Sequence, residues 1–184
     1  VNTGSVVFVL QKASVASTTA VSASPNPSTY GSAVRFSVTV STADNGAEGS
    51  VDLFDATTGG PLKVGSCLLV SGTCAANVAT LGVGSHTITA TYSGDGYHAS
   101  SSGTVTQVVS PAPTTTTVRS ASPTSMYGWA VPFTVSVTTG DGSPATGTVA
   151  IWDGSSQLGT CSLSSGACDI TPGALSIGQH AIVD

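Results

Sequence analysis

Val34, Phe36, Val38 and Val40 alternate with Arg35, Ser37 and Thr39, and the same alternation returns at Val131, Phe133, Val135 and Val137. A period of two sends successive side chains to opposite faces, so each run reads as a strand with one buried and one solvated face. His86-Thr87-Ile88-Thr89-Ala90-Thr91-Tyr92 is a third such run. Clusters of Gly, Pro, Asn, Asp and Ser separate these runs at short intervals, as turns between strands require. No segment carries a helical period. Many short strands without helices predict an all-β chain built as sandwiches. The inward set should include Val34, Phe36, Val38, Leu53, Ile88 and Tyr92, matched later by Val135, Val137, Ile151 and Ile182.

The pattern is repeated as a whole. Ser24-Pro25-Asn26-Pro27-Ser28-Thr29-Tyr30-Gly31 returns as Ser122-Pro123-Thr124-Ser125-Met126-Tyr127-Gly128, and Gly49-Ser50-Val51-Asp52-Leu53-Phe54-Asp55 as Gly147-Thr148-Val149-Ala150-Ile151-Trp152-Asp153. Cys67 and Cys74 recur as Cys161 and Cys168; Leu81, Gly84 and His86 recur as Leu175, Gly178 and His180. Order is preserved and the small shifts fall in loops, so one repeat is one sandwich-sized unit. The first domain is expected over 15–110, a proline-stiffened linker over 111–113, and the second domain over 114–184.

The two copies differ at their ends. The first closes with a strand near Gly103 to Val109, for which the second has no match. Gly4-Ser5-Val6-Val7-Phe8-Val9-Leu10-Gln11 stands before the first copy as Gly103 to Val109 stands before the second. Residues 1–12 are therefore expected to be the last strand of a preceding repeat, and the chain an excerpt of a longer array. In the other outcome, Val6 to Leu10 of one molecule completes the second domain of the next by strand exchange.

Composition narrows the function. Charged residues are only 7% of the chain, far below the roughly 25% of ordinary soluble domains. The basic residues Lys12, Arg35, Lys63 and Arg119 are scattered under a net charge of -5. That disfavours nucleic acid and anionic membranes as partners, since both are held through clustered basic charge. No apolar run approaches the roughly 20 residues that span a bilayer.

Taken together, the Thr-rich opening strand, Ser-Pro-Asn-Pro-Ser-Thr-Tyr-Gly at 24–31, Gly-x-Val-x-Leu-Phe-Asp at 49–55 and Leu-Gly-Val-Gly-Ser-His-Thr-Ile-Thr-Ala-Thr-Tyr-Ser-Gly-Asp at 81–95 resemble bacterial Ig-like repeat domains of the group 3 type. The resemblance implies tandem immunoglobulin-like β-sandwich domains of secreted or wall-attached bacterial proteins. It implies spacer, adhesin or glycan-associated roles and no catalytic residues. The cysteine pairs are not a general feature of that family.

Each cysteine pair flanks a Ser-Gly turn at equal spacing. That places the partners across a hairpin, where opposed Cα atoms lie about 4.5–5.5 Å apart and a disulfide fits. Free thiols and a metal are the alternatives. Zinc needs four ligands, usually at closer Cys spacing or with nearby His. Cys67–Cys74 and Cys161–Cys168 bridges would each stabilise by roughly 2–3 kcal/mol and would indicate an oxidising, extracellular compartment.

Phe54 and Trp152 share one repeat position and point away from the inward residues beside them, either over their own sheet or toward a sugar or a neighbouring domain. Trp129 stands where the first copy has Ser32 and is the better candidate for a contact peculiar to one domain. His86 and His180 read as turn histidines bonded to backbone, and His98 as solvated. Asp95 and Asp141 lie in different Gly-containing loops, which suits turn chemistry better than calcium, a cation wanting several carboxylates. No Ser-His-Asp or Cys-His set can be argued, and Glu48 is the sole Glu, so paired carboxylates for glycoside hydrolysis are missing. Lys63 with Asn77 is the one isopeptide candidate, and Pro27 blocks glycosylation at Asn26. No cofactor or metal is expected. The reading is a non-catalytic spacer whose partners are neighbouring Ig-like repeats. The alternative is a binding module whose aromatics meet a glycan or a host surface protein.

Overall fold

A computed structural model describes residues 13–57 and 59–184, and every regular element among them is a strand. The first unit runs to Pro111 and the second from Ala112 to Asp184. In unit 1, β1 (Ser17–Ser24), β3 (Val34–Thr42) and β6 (Thr73–Val78) form one sheet in the order β1-β3-β6. The facing sheet has the order β2-β8-β7-β4-β5, from β2 (Ser28–Thr29), β4 (Ser50–Asp55), β5 (Leu62–Leu68), β7 (Gly84–Tyr92) and β8 (Ser101–Ser110). All pairings are antiparallel except β2 with β8.

The period-two pattern sets the core. Every second residue of β3 from Val34 to Val40 is buried, as are Val51 and Leu53 of β4 and Ile88, Ala90 and Tyr92 of β7. These side chains come from both sheets and form one cluster, the interdigitated layer of a sandwich.

Unit 2 repeats the plan with fewer strands. One sheet is β9 (Thr114–Ser120), β10 (Phe133–Thr139) and β13 (Ala167–Ile170), in the order β13-β10-β9. The other is β11 (Thr148–Asp153), β12 (Ser156–Ser162) and β14 (Ile182–Val183), in the order β12-β11-β14. Among the described residues, β2 and β8 have no counterpart. Val131, Phe133, Val135, Ile151 and Ile170 are buried. Val137 and Ile182, both expected in the core, are only half-buried. The physical reason is the thinner layer above them: among the described residues no strand pairs beyond β14 to cover the core.

The cysteine hairpin also differs from expectation. Cys67 is bonded to Cys74 and Cys161 to Cys168, with Cα–Cα distances of 5.7 and 5.9 Å. The partners do not face each other across one hairpin ladder. Ser71 and Gly72, and likewise Ser165 and Gly166, have positive φ, as a two-residue type I′ turn demands. That turn closes with Val70 bonded to Thr73, a register that would set Cys74 against Leu69. The arms then part. Cys67 lies opposite Val51 in one sheet and Cys74 opposite Val38 in the other. A Cβ at Gly72 would come 2.9 Å from the Val40 carbonyl, so the turn has room only for glycine. Each bridge therefore joins the edge strands of the two facing sheets.

Candidate functional site

The surface that distinguishes the two units is the seat of the last strand. In unit 1, β8 pairs with β7 from Tyr92 opposite Ser101 to Gly84 opposite Val109. Its inward residues Val105 and Val109 pack on the core. Gln107 is fully buried and donates from Nε2 to the Pro25 carbonyl and to Ser28 Oγ, both at 3.1 Å. The far edge of β8 is covered by the chain crossing between sheets. Asn26 acts there as a short strand of its own: its Nδ2 donates to the Thr106 carbonyl at 2.7 Å, and its Oδ1 accepts from Val108 N at 3.0 Å. At Gly103 the crossing of β1 is so close that a Cβ would overlap the Thr19 carbonyl.

Unit 2 presents the same region as an open groove of about 1130 Å³, lined by Val131, Phe133 and Leu175, with Met126, Tyr127 and Trp129 beside them. The last three are exposed, Trp129 by 68%. A turn bond from Trp129 N to the Met126 carbonyl at 3.1 Å gathers them. Their unit 1 counterparts Thr29, Tyr30 and Ser32 flank a filled seat. Trp152 lies on β11, 36% exposed, opposite Gln157 and Val183, and does not line the groove. Phe54 is half-buried on β4, opposite Lys63 and Thr89. Within unit 2, Trp129 and Trp152 therefore do not converge on one site.

The histidines are more engaged than expected. His86 Nε2 meets the Gly82 carbonyl at 2.8 Å, and Nδ1 meets the buried Asp55 carboxylate at 2.7 Å. His180 repeats this with the Ser176 carbonyl at 2.9 Å and Asp153 at 2.6 Å. An Asp–His pair orients the base in nucleophilic catalysis, but here the second nitrogen of each ring is taken by a backbone carbonyl and faces no hydroxyl or thiol. Burial by itself would raise the Asp55 carboxyl; hydrogen bonds from the Thr57 hydroxyl and N–H and from His86 outweigh it and hold the group below its ordinary value. The Ser176 carbonyl, then Asp153, raises His180. The repetition of Asp55 and Asp153 together with His86 and His180 was the sequence signal for these pairs.

His98, expected in solvent, is 4% exposed. Two carboxylates draw it in: Nδ1 lies 2.7 Å from Asp95 Oδ2 and Nε2 2.9 Å from Asp44 Oδ1. Carboxylates only accept, so both ring nitrogens donate, which is the imidazolium form. Asp95 and then Asp44 raise His98 accordingly. Asp44 is lowered to about 2 by His98 and then Thr42, and Asp95 is lowered by His98 and then by the Tyr97 N–H. Burial, then the bond from its hydroxyl to Asp95 at 2.9 Å, pushes Tyr92 up to about 12. The cluster ties the loop after β3 to the loop between β7 and β8. Among the described residues, no group of three or more His, Cys, Asp or Glu side chains is arranged to hold a metal.

Two facing sheets, a chain that crosses between them and a strand pattern repeated in a second unit define immunoglobulin-like sandwiches in tandem. The chain matches the bacterial Ig-like domain (group 3) over residues 19–110 and 116–183, and it belongs to that family. No curated protein matches it. Among solved structures, it is similar to the fibronectin(III)-like modules of Clostridium thermocellum CbhA at 15% identity, covering 89% of this chain and 82% of that one, with a TM-score of 0.34. A Salmonella alpha-2-macroglobulin reacted with methylamine matches at 12% identity over 96% of this chain and 15% of its own length, with a TM-score of 0.37. Likenesses this distant carry no argument about function.

Proposed function

We propose that this chain is a non-catalytic spacer in an extracellular bacterial surface or secreted protein, one stretch of a stalk made of successive Ig-like units. The observation that carries the reading is the repetition of the scaffold together with its staple. Both units bridge the same two sheet edges through the same cysteine positions. A cross-link closing so short a loop stabilises by roughly 2–3 kcal/mol and persists in oxidising compartments. What is duplicated is mechanical framework, while the exposed Trp129 belongs to one copy alone. The test is single-molecule stretching of the whole chain with and without reductant. A spacer should unfold in two steps at forces that fall on reduction. Indifference to reduction in both steps would refute the staple's role.

A second reading is favoured by the exposed Met126, Tyr127 and Trp129 beside the groove: a module that stacks aromatics on a glycan or packs them on a host protein. Glycan-array binding by the whole chain, lost in Trp129→Ala, would support it over the spacer.

A further inference from the structure

We infer that His98 latches the segment leading into β1 to the end of unit 1, and that loss of one proton from its ring releases that segment. The inference does not depend on the spacer reading. Val15 forms a parallel bridge with His98. Its N–H donates to the Tyr97 carbonyl and its carbonyl accepts from the Ala99 N–H, both at 2.8 Å. Ser17 Oγ donates to the Ala99 carbonyl at 2.6 Å. Residues 15–17 are therefore seated on the loop between β7 and β8, and their hold is only as firm as that loop. Asp95 shapes the loop from within, accepting the N–H groups of Tyr97 and His98 at 2.7 and 2.8 Å. The chain folds back so closely that a Cβ at Gly94 would come 2.7 Å from the His98 carbonyl.

The His98 ring ties that loop to the rest of the sandwich. Its Nδ1 donates to Asp95 in the same loop, and its Nε2 donates to Asp44 in the loop between β3 and β4. Asp44 is anchored in turn by Thr42 Oγ1 at 2.9 Å. Two donated bonds need both ring protons. A neutral ring keeps one, and its other nitrogen then sets a lone pair against a carboxylate. That residue is only 4% exposed, so water is poorly placed to compensate. The Asp95 contact stays within one loop. Asp44, its side chain 54% exposed, is the partner that turns to solvent, so the two loops part there and residues 15–17 lose their backing. The other titratable groups around the ring are Asp44 and Glu48 from the β3–β4 loop, Tyr92 from β7 and Asp95; residues 13–17 bring none. Asp44 and Asp95 are held low and Tyr92 is held up at about 12. His98, raised by Asp95 and then Asp44, is the group that changes charge near neutrality. Opening lets the ring return to its ordinary value of 6.5. The latch is thus closed between the ordinary carboxylate value of 3.8 and 6.5, and it loosens as pH rises through the folded value of His98.

Hydrogen exchange by NMR on the oxidised full chain tests it, with rates corrected for the intrinsic dependence of exchange on pH. One proton leaves per opening. Protection at the Val15 and Ala99 N–H groups should therefore fall up to roughly tenfold for each pH unit between 6.5 and the folded value. The midpoint of that fall should coincide with the titration of the His98 ring followed by its own resonances, while the Ile88 N–H in β7 stays protected. In Asp44→Asn the fall should move toward 6.5. In His98→Asn protection at Val15 should be low and flat across the same range. Unchanged protection in the unaltered chain, a fall that does not track the His98 titration, or a fall that persists in His98→Asn would each overturn the inference. The two midpoints are read in the unaltered chain, so a substitution that disturbs the fold leaves that comparison intact.

Discussion

Unit 1 and unit 2 share the order of their matched strands, their disulfide and their Asp–His pair, yet the same residues are buried to different depths. Val40, Val51, Leu81 and Ile88 are buried in unit 1, and their counterparts Val137, Val149, Leu175 and Ile182 are half-buried in unit 2. The His86 side chain is 8% exposed and His180 17%, and Asp55 6% against Asp153 27%. One strand accounts for the trend. β8 covers β7 along nine paired positions, and Tyr92 stands opposite Val51; neither has a counterpart among the described residues of unit 2. A strand at the side of a sheet thus governs how dry the opposite side becomes, because a core is packed as one body.

The comparison is sharpest at the matched phenylalanines. Phe36→Ala should cost about 3–5 kcal/mol, since a closed core keeps the cavity. Phe133→Ala should cost less, because Phe133 lines the groove and water enters the space. Denaturant unfolding separates the units: both tryptophans, Trp129 and Trp152, lie in unit 2, so their fluorescence reports unit 2 alone and circular dichroism reports both. Equal losses would mean that the open groove does not matter energetically.

Removing one bridge at a time comes next. Cys67→Ser/Cys74→Ser and Cys161→Ser/Cys168→Ser should each cost roughly 2–3 kcal/mol. The same loss should unfold unit 2 at the lower denaturant concentration, since it starts from the smaller core. If unit 1 lost its transition first, the ranking of the two units drawn from burial would be wrong.

A smaller effect separates the covered strand edge from the open one. Asn26→Ala removes two bonds to the β8 backbone and should cost unit 1 about 1 kcal/mol. Thr124→Ala in unit 2, where no such strand is paired, should be silent in the same unfolding assay.

Acid and base should divide the units further. His98 is raised, so its contribution is full below its ordinary value near 6.5 and fades as pH rises through the folded value. Asp44, lowered to about 2, and the still lower Asp95 contribute above their ordinary value of 3.8, and that contribution fades as pH falls. The clamp is therefore strongest between those ordinary values. Solvent at the half-exposed Asp44 weakens it. Unit 2 has Asp141 at the matching place, lowered by Thr139 and then Ser143 with no histidine. His98→Asn should flatten the pH dependence of the unit 1 transition on the alkaline side and leave the unit 2 transition unchanged.

The smallest expected change is at Trp129. An exposed side chain outside the core contributes little, so Trp129→Ala should shift unit 2 stability by no more than about 0.5 kcal/mol. A larger loss would make Trp129 part of the fold, and the comparison with Ser32 would no longer point to a contact.

Local chemistry alone determined that the chain is all-β, that it is duplicated, and which valines, phenylalanines and isoleucines face inward, because side-chain alternation is a property of each strand by itself. The Ser71-Gly72 and Ser165-Gly166 turns were legible for the same reason. Three features were decided only in the tertiary structure. Cys67 and Cys74 flank a tight turn, and nothing in their spacing says that its arms join opposite sheets; that depends on β4 and β3 each capturing one arm. His98 looks like a solvated loop residue until Asp44, far away in the chain, arrives beside it to accept a hydrogen bond from its second ring N–H. Asn26 mimics a strand and Gln107 is buried, because both answer to a chain crossing between two sheets, which their residue types do not announce. Periodicity records which way a side chain points from its own backbone, and only the packed sheets decide what it meets.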